Sequence, residues 1–263
     1  MTFDLSSLSS AERLLWFYGC RQPGHIDLEG IACDKGAQVI YRCMDGCAAR
    51  LLSDGHQAVI SVQATDNEGR RRFSLGHELA HWLNDARRGF SCSGDDIGPQ
   101  NAEAVSVEAA ANVFASQLIL PDYMVTPWLQ GRRMSLSLAL ELSNAFRASV
   151  TASAIKLTKK AEGEVCLVCH SMHGRRWFVR SKKWPFGFYP RTQLHQDTTA
   201  FELVFKGATG MSRPKVSPGS HWLSGDEFPV MDVEAQSMPL PDGTVLSMLT
   251  MADAARATRS RRS

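Results

Sequence analysis

The sequence has no run of apolar residues long enough to cross a bilayer, which argues against a membrane-spanning helix. Its first ten residues, MTFDLSSLSS, lack the basic start and the apolar stretch of a secretory signal peptide. A strong charge is also missing, because 29 Lys and Arg against 27 Asp and Glu leave a net charge of +2. That charge gives no electrostatic argument for nucleic-acid binding. We therefore expect a cytoplasmic protein that does not associate with membranes.

The cysteines lack the compact, even-numbered spacing of a disulfide framework. The chain has seven of them, which favours reduced thiols in a cytoplasm. Cys43 and Cys47 flank a turn, and Cys92 lies further along in a polar loop. We expect these three to be small buried apolar side chains rather than a metal or redox trigger. A thiolate at Cys92 that held a nearby zinc site latent is the alternative.

One stretch does carry chemistry. Residues Arg71 to Asp85 read RRFSLGHELAHWLND and place His77, Glu78 and His81 in an HExxH arrangement. On a helix, residues four apart lie on one face, so the two imidazoles can share one metal ion. Zinc accepts neutral imidazole nitrogen and keeps a position open when the protein supplies three ligands. Glu78 is then the expected general base for an attacking water.

A third ligand is expected on a second helix, predicted over Val105 to Pro121. Its several alanines would allow a close approach to the first helix, and Glu108 is the favoured ligand. A glutamate in a first helical turn is also favoured by the helix dipole alone. Glu103 is the main rival, with Asp95 and Asp96 behind it.

The two segments together resemble the ImmA/IrrE family of bacterial metallopeptidases. RRFSLGHELAHWL is followed, in the expected order, by the pattern ExxANxFAxxLxxP, and the resemblance extends from about Cys43 to about Lys160. It implies a zincin-like fold and a Zn²⁺ cofactor. The zinc ligands and catalytic acid/base that it implies are His77, His81, Glu108 and Glu78. The positions that differ from the commoner family residues, without loss of a chemical group, are Ser74, Gly76, Ala80 and Leu120.

Two further side chains are expected to support the ligands. Asn112 and Asp85 each lie four residues after a proposed ligand, Glu108 and His81 respectively, and are predicted to orient them. The residue that stabilises the oxyanion is not identified by the sequence. The candidates considered for it are Tyr123 and His56.

The segments around the motif predict a small antiparallel sheet with helices. Ser9 to Glu12 forms a capping box for a helix that ends near Gly19. Residues 31–62 alternate and turn, and Ala58 to Val62 is predicted to be an edge strand that binds substrate by strand addition. The polar loop from Ala86 to Ala104 joins the two ligand helices and is expected to cover the cleft.

After Pro121, residues 122–133 are predicted to be a turn and connection. Ser135 to Lys160 predicts two amphipathic helices with a break near Ala148 to Val150, a helix-turn-helix in outline. A DNA-reading version would present Thr151, Ser153, Lys156, Lys159 and Lys160. Because polar side chains are few and the turn lacks glycine, we expect the pair to pack on the peptidase core instead.

The composition changes from Gly163 onward. EVCLVCHSMHGRRWFVRS predicts a hairpin that turns at His173 and Gly174. A metal quartet is suggested by Cys166, Cys169, His170 and His173. Because successive strand residues face opposite sides, these four side chains are not expected to converge.

Residues Phe178 to Met251 predict a mostly β domain with short strands such as AFELVF and GTVLSML. Some relatives in the resembled family carry a GAF-like sensory domain at this place, which makes this segment a candidate for one. The fold class is therefore α+β, with four parts. These are a zinc metallopeptidase domain (1–133), a helix-turn-helix-like pair (134–161), a β-rich regulatory domain (162–252) and a disordered basic tail (253–263).

The resemblance implies a zinc-dependent endopeptidase that cleaves a specific regulatory protein, a helix-turn-helix repressor. The setting would be a stress response, a mobile element or a toxin-antitoxin locus, and in the last case the chain itself could be the restrained toxin. The alternative is a non-proteolytic regulatory protein that binds a repressor or DNA, with a structural zinc.

Overall fold

The computed structural model describes residues 4–65, 67–85, 107–224 and 231–251. Contacts divide the chain into two units. The N-terminal unit comprises Met1–Arg132 with Glu141–Ala152, and the C-terminal unit comprises Arg133–Leu140 with Ser153–Ser263. The four-part division drawn from the sequence stays a prediction, and its basic tail lies outside the described residues.

The described residues form eight α-helices and ten strands. The helices are α1 (Ser10–Phe17), α2 (Leu28–Asp34), α3 (Glu68–Asp85), α4 (Val107–Ile119), α5 (Asp122–Leu129), α6 (Leu136–Phe146), α7 (Val150–Lys160) and α8 (Thr199–Phe205). The strands are β1 (Ala37–Arg42), β2 (Ala49–Ser53), β3 (Ala58–Gln63), β4 (Val165–Ser171), β5 (Gly174–Arg180), β6 (Tyr189–Pro190), β7 (Lys215–Pro218), β8 (Leu223–Ser224), β9 (Asp232–Pro239) and β10 (Val245–Met251).

The N-terminal unit begins with the predicted capped helix and differs from the prediction after Pro121. The Ser9 side chain accepts from the Glu12 amide, and the Glu12 side chain accepts from the Ser9 amide, so the predicted capping box is confirmed. The connection predicted for residues 122–133 is wrong, because α5 occupies most of it. Pro121 was interpreted only as the end of a helix. It also precedes the next helix, in which Met124 and Val125 are buried.

The small sheet is mixed, so the predicted antiparallel sheet is wrong. Its order is β1-β3-β2, with β3 parallel to β1 and antiparallel to β2. The prediction that Ala58 to Val62 is a free edge is also wrong, since these residues form most of the central strand. The physical reason is burial: four of the six residues of β3 are apolar, and Ile60 and Val62 are fully buried. A strand of that composition is most stable between two neighbours.

Helix α3 is anchored at both ends. At its start the Asn67 side chain accepts from the Arg70 amide, the usual capping role of asparagine. Towards its end the indole N–H of Trp82 donates to the Lys35 carbonyl at 2.7 Å. Between these anchors every residue from 74 to 82 is buried. The motif therefore lies on a helix enclosed on all sides, as its apolar flanks predicted.

The break between α6 and α7 falls where it was predicted. Arg147 adopts a left-handed backbone conformation there, with φ of 53°. This turn packs against the start of α3: a Cβ on Gly69 would lie 2.2 Å from the Ser149 nitrogen. On α7, Ser153 and Lys156 are buried, so they are not available to read a base edge.

The C-terminal unit is built on a five-stranded sheet with the order β5-β4-β10-β9-β7, and all its pairings are antiparallel. The predicted hairpin is confirmed as β4 and β5. One face packs on an apolar cluster that contains Cys166, Trp184, Ala200 and Trp222. Burial raises the pKa of the Cys166 thiol to about 12, so it stays protonated and apolar in character.

The segment AFELVF was predicted as a strand and is instead most of helix α8, which is a correction. The Thr198 hydroxyl accepts from the Phe201 amide and caps the helix. Ala200, Leu203 and Val204 lie at helical spacing and pack on the apolar cluster. The segment GTVLSML is a strand, β10, as predicted.

Two further predictions are tested by burial and bonding. All six cysteines in the described residues are free thiols. The expectation of buried side chains is wrong for Cys43, which is exposed, and Cys47 is half-buried; both lie in a surface turn after β1. In the parts of the chain that the structure describes, no helix combines the length and apolar character that a bilayer crossing requires.

Candidate metal centre

Helices α3 and α4 approach closely enough to bring side chains from both into one cluster. A Cβ built on Gly76 would lie 3.5 Å from the Cα and Cβ atoms of Ala115, an ordinary contact distance. Small residues at both positions therefore let the two backbones lie side by side. The alanine-rich face of α4 was expected to allow this approach, and it does.

Three potential ligands converge between these helices. The Nε2 atoms of His77 and His81 lie 3.1 Å apart. Glu108 Oε2 lies 3.1 Å from His77 Nε2, and Glu108 Oε1 lies 3.5 Å from His81 Nε2. Both imidazoles are fully buried, whereas the Glu108 side chain is a quarter exposed.

These separations match the requirement of one tetrahedral ion. Atoms that each lie about 2.1 Å from a shared zinc ion are about 3.4 Å from one another. The observed distances of 3.1, 3.1 and 3.5 Å lie around that value. Two nitrogens and a carboxylate oxygen are also a donor set that zinc accepts. The three side chains therefore fit this ion without rearrangement of the backbone.

Asn112 fixes which nitrogen of His77 faces the cluster. Its amide oxygen lies 3.1 Å from His77 Nδ1. An amide oxygen can only accept, so Nδ1 carries the proton and Nε2 presents a lone pair. Asn112 was expected to support Glu108, and the structure pairs it with His77 across the gap between the helices. The spacing along α4 gave no sign of this partner.

The electrostatics favour neutral imidazole at His77. Burial, together with the neighbouring His81 ring, lowers the pKa of His77 below its ordinary value, and the Glu108 carboxylate opposes this shift. Neutral imidazole is the form that binds metal. Beside it on α3, Glu78 is fully buried, so the motif's carboxylate lies within the same enclosed segment as the two imidazoles.

Several predicted residues lie outside the described part of the chain. The rival ligands Glu103, Asp95 and Asp96 do so, as does Cys92. The predicted loop from residue 86 to 104 does also. For Asp85 the structure describes the backbone, as the last residue of α3, but not the side chain. Its predicted role of orienting His81 stays a prediction.

The two candidates for oxyanion stabilisation have other positions. The Tyr123 hydroxyl donates to the Cys20 carbonyl at 2.7 Å, and its ring packs edge-on against Trp16. Burial raises the pKa of Tyr123 to about 12. His56 lies exposed in the turn between β2 and β3. The position of each side chain is therefore explained by its own surroundings, without a role in oxyanion stabilisation.

Comparison with protein families adds a decisive observation. Residues 34–158 match the sequence model of the Peptidase_M78 family, described as the IrrE N-terminal-like domain. This segment is similar to that family. The resemblance predicted over about Cys43 to about Lys160 is thereby confirmed, and the IrrE-like segment carries all three converging ligands. The match supports a metallopeptidase-like role for it.

Two further comparisons concern the whole chain. It is similar in structure to a Mycobacterium tuberculosis transcriptional regulator, with a TM-score of 0.63 and 15% identity, over 95% of this chain and 77% of that chain. At that identity the likeness shows the fold alone, a mixed α+β architecture that continues beyond the IrrE-like segment. None of the curated proteins matches the chain.

Proposed function

We propose that the chain is a zinc-dependent endopeptidase that cleaves a specific regulatory protein. The observation that carries this proposal is the convergence of His77 Nε2, His81 Nε2 and the Glu108 carboxylate at separations of 3.1 to 3.5 Å. The two imidazole nitrogens and the carboxylate oxygens thus lie as close together as the ligands of one metal cation do. The match of the IrrE-like segment to a peptidase family supports zinc as that cation.

The chemistry divides between the ion and the chain. A zinc ion held by these ligands supplies Lewis acidity for the attack of water on a peptide carbonyl. Glu78 takes the proton of the attacking water and delivers it to the leaving amine. Asn112 holds His77 in the tautomer whose Nε2 faces the ligand cluster. Enclosure of residues 74–82 keeps these groups in a fixed geometry.

The finer parts of the proposal concern architecture and setting. The N-terminal unit is a zincin-like peptidase domain that acts in the cytoplasm. The C-terminal sheet is a GAF-like sensory module that couples a signal to cleavage. The substrate is a helix-turn-helix repressor of a stress response, a mobile element or a toxin-antitoxin locus. The similarity in fold to a transcriptional regulator supports a regulatory setting of this kind.

A second candidate is favoured by that same similarity, since a protein with a regulator's fold can act by binding alone. In this case the chain would bind a repressor or DNA, and zinc would only stabilise the N-terminal unit. Replacement of one side chain separates the two functions, because Glu78 is required for hydrolysis and is not a proposed ligand.

The test uses the purified chain with the product of the nearest repressor-like reading frame as substrate. We expect Glu78→Gln to retain zinc and fold while cleavage falls by about 10²-fold or more. Glu162→Gln, at an exposed glutamate, is the matched control and should cleave normally. If Glu78→Gln still relieves repression in cells as well as the parent does, hydrolysis is not the function.

A further inference from the structure

A second cluster of metal-ligating side chains lies in the C-terminal unit. His195 and Asp197 precede α8, and His221 ends the short 3-10 turn Gly219–His221. One ring nitrogen of each histidine and a carboxylate oxygen of Asp197 lie within 4.8 Å of one another. The imidazole rings stack with their centroids 4.1 Å apart and 8° between their planes. Asp197 Oδ2 lies 3.6 Å from His195 Nδ1.

The backbone holds the two turns that carry these residues. The His195 carbonyl accepts from both the hydroxyl and the amide of Thr198, at 2.7 and 3.0 Å. The other turn is attached through Arg191, whose amide donates to the Trp222 carbonyl at 2.8 Å and whose guanidinium donates to the Ser220 carbonyl at 3.0 Å. The segment that leads to His195 is therefore joined to the turn that carries His221 through Arg191. Within the first segment, Nδ1 of His195 accepts from the Asp197 amide at 3.3 Å.

One ring nitrogen of His221 lacks a hydrogen-bond partner among the described residues. This atom, Nδ1, is buried. A buried imidazole nitrogen without a partner loses the stabilisation that water gives it in the unfolded chain. Lys215 and Arg191 place positive charge near this ring, and this charge opposes the binding of a cation. The Asp197 carboxylate is the nearby group that offsets them.

We propose that His195, Asp197 and His221 form a second metal site, for a divalent ion of the zinc type. Two imidazoles and one carboxylate favour Zn²⁺ over the hard ions Ca²⁺ and Mg²⁺. Tetrahedral zinc needs its ligand atoms about 3.4 Å apart, so the cluster contracts on binding. Because the lone pair of an imidazole nitrogen lies in the plane of its ring, one of the two stacked rings must also rotate out of the stack before both can bind one ion. The exposed side chain of Asp197 and the half-buried rings leave room for this movement. This site lies outside the peptidase motif and does not depend on the function proposed for it.

Metal binding would tie the loop before α8 to the turn before β8. Both segments adjoin the apolar cluster, through Ala200 on one side and Trp222 on the other. An ion that binds only the folded unit stabilises it by mass action. The consequence is a C-terminal unit whose stability depends on zinc availability.

The test counts zinc on the full chain after equilibrium dialysis against zinc. The parent should hold about two ions per chain and His221→Gln about one, because glutamine removes the ring donor. His173→Gln replaces an exposed histidine in the β4–β5 turn and should still hold about two. His81→Gln should also lose one ion, and the double variant His81→Gln, His221→Gln should lose both.

Two results would overturn the proposal. One is a zinc content of His221→Gln equal to that of the parent, with both proteins folded by circular dichroism. The other is equal loss in His173→Gln and His221→Gln, which would show general surface binding by histidines. Dialysis against Ca²⁺ should load neither site. If the proposed peptidase centre binds no zinc, His81→Gln should hold as many zinc ions per chain as the parent, whatever the result for His221→Gln.

Discussion

The Nδ1 atom of His77 on α3 lies 3.1 Å from the amide oxygen of Asn112 on α4. Asn112 is one turn after Glu108 on the same helix, so α4 supplies both a proposed ligand and the group that orients another. Movement of α4 would disturb both at once. The metal centre is therefore a property of the α3–α4 pair rather than of the HExxH segment alone.

Replacement of Asn112 tests this relationship. In Asn112→Ala, His77 loses the acceptor for its Nδ1 proton, and its tautomer and ring orientation are no longer fixed. We expect zinc affinity to fall by about 10- to 100-fold, the usual cost of losing such a partner. Competition with a chelator measures it. Asn144→Ala, at an exposed position on α6, is the control; equal affinities for the two variants would contradict the assigned role.

Two glycines on α3 should respond oppositely to alanine. A Cβ on Gly69 would meet the backbone of the α6–α7 turn at 2.2 Å, and Gly69→Ala should lower the free energy of unfolding by about 3 kcal/mol. At Gly76 the nearest atoms are 3.5 Å away, where a methyl group fits. Gly76→Ala should raise the free energy of unfolding by up to about 1 kcal/mol through helix propensity. Urea unfolding of both variants measures these free energies. Equal changes in the free energy of unfolding would refute the packing described for this helix.

The buried His170 predicts a pH dependence. Its Nε2 lies 3.0 Å from the Arg191 carbonyl, and burial lowers its pKa below the ordinary value of 6.5. The unfolded chain therefore binds a proton at a pH where the folded chain does not. The free energy of unfolding should fall as the pH drops through the ordinary histidine value, by at most about 1.4 kcal/mol per pH unit for this group.

The measurement compares the parent with His170→Gln, which keeps an N–H donor for the Arg191 carbonyl. Unfolding of both proteins is followed between about pH 7.5 and about pH 5. The variant is expected to be less stable at neutral pH but to lose less stability on acidification. The other histidines are common to both proteins, so their contributions cancel in the comparison. Parallel curves would show that His170 does not contribute this dependence.

The sequence predicted the features that depend on residues close together along the chain, and missed several that depend on distant ones. The motif helix, the capping box and the β4–β5 hairpin depend on residues a few positions apart, and each was predicted. The order of the small sheet was not, because the central place of Ile60 and Val62 depends on pairing between distant segments. AFELVF was predicted to be a strand, but the Thr198 cap and the packing of Ala200 and Leu203 on the apolar cluster favour a helix.

The same distinction applies to the sites. His77 and His81 are four residues apart, so their convergence follows from helix geometry. Glu108 is 31 residues from His77, and its choice over Glu103 was based on a predicted second helix whose alanines would allow a close approach. The partner of Asn112 lies on another helix and left no local signal. His195 and His221 come together through contacts between distant segments, among them those of Arg191 and the pairing of β6 with β8, which no sequence spacing predicts.

The most direct test of the central claim is the anomalous scattering of a zinc-loaded crystal at the zinc absorption edge. We expect a peak about 2.1 Å from His77 Nε2, His81 Nε2 and a carboxylate oxygen of Glu108, with the Glu78 side chain beside it. The peak should be absent from the Glu108→Ala variant prepared in the same way. A zinc-loaded protein with no peak between α3 and α4, or with Glu108 turned away from the imidazoles, would contradict the account.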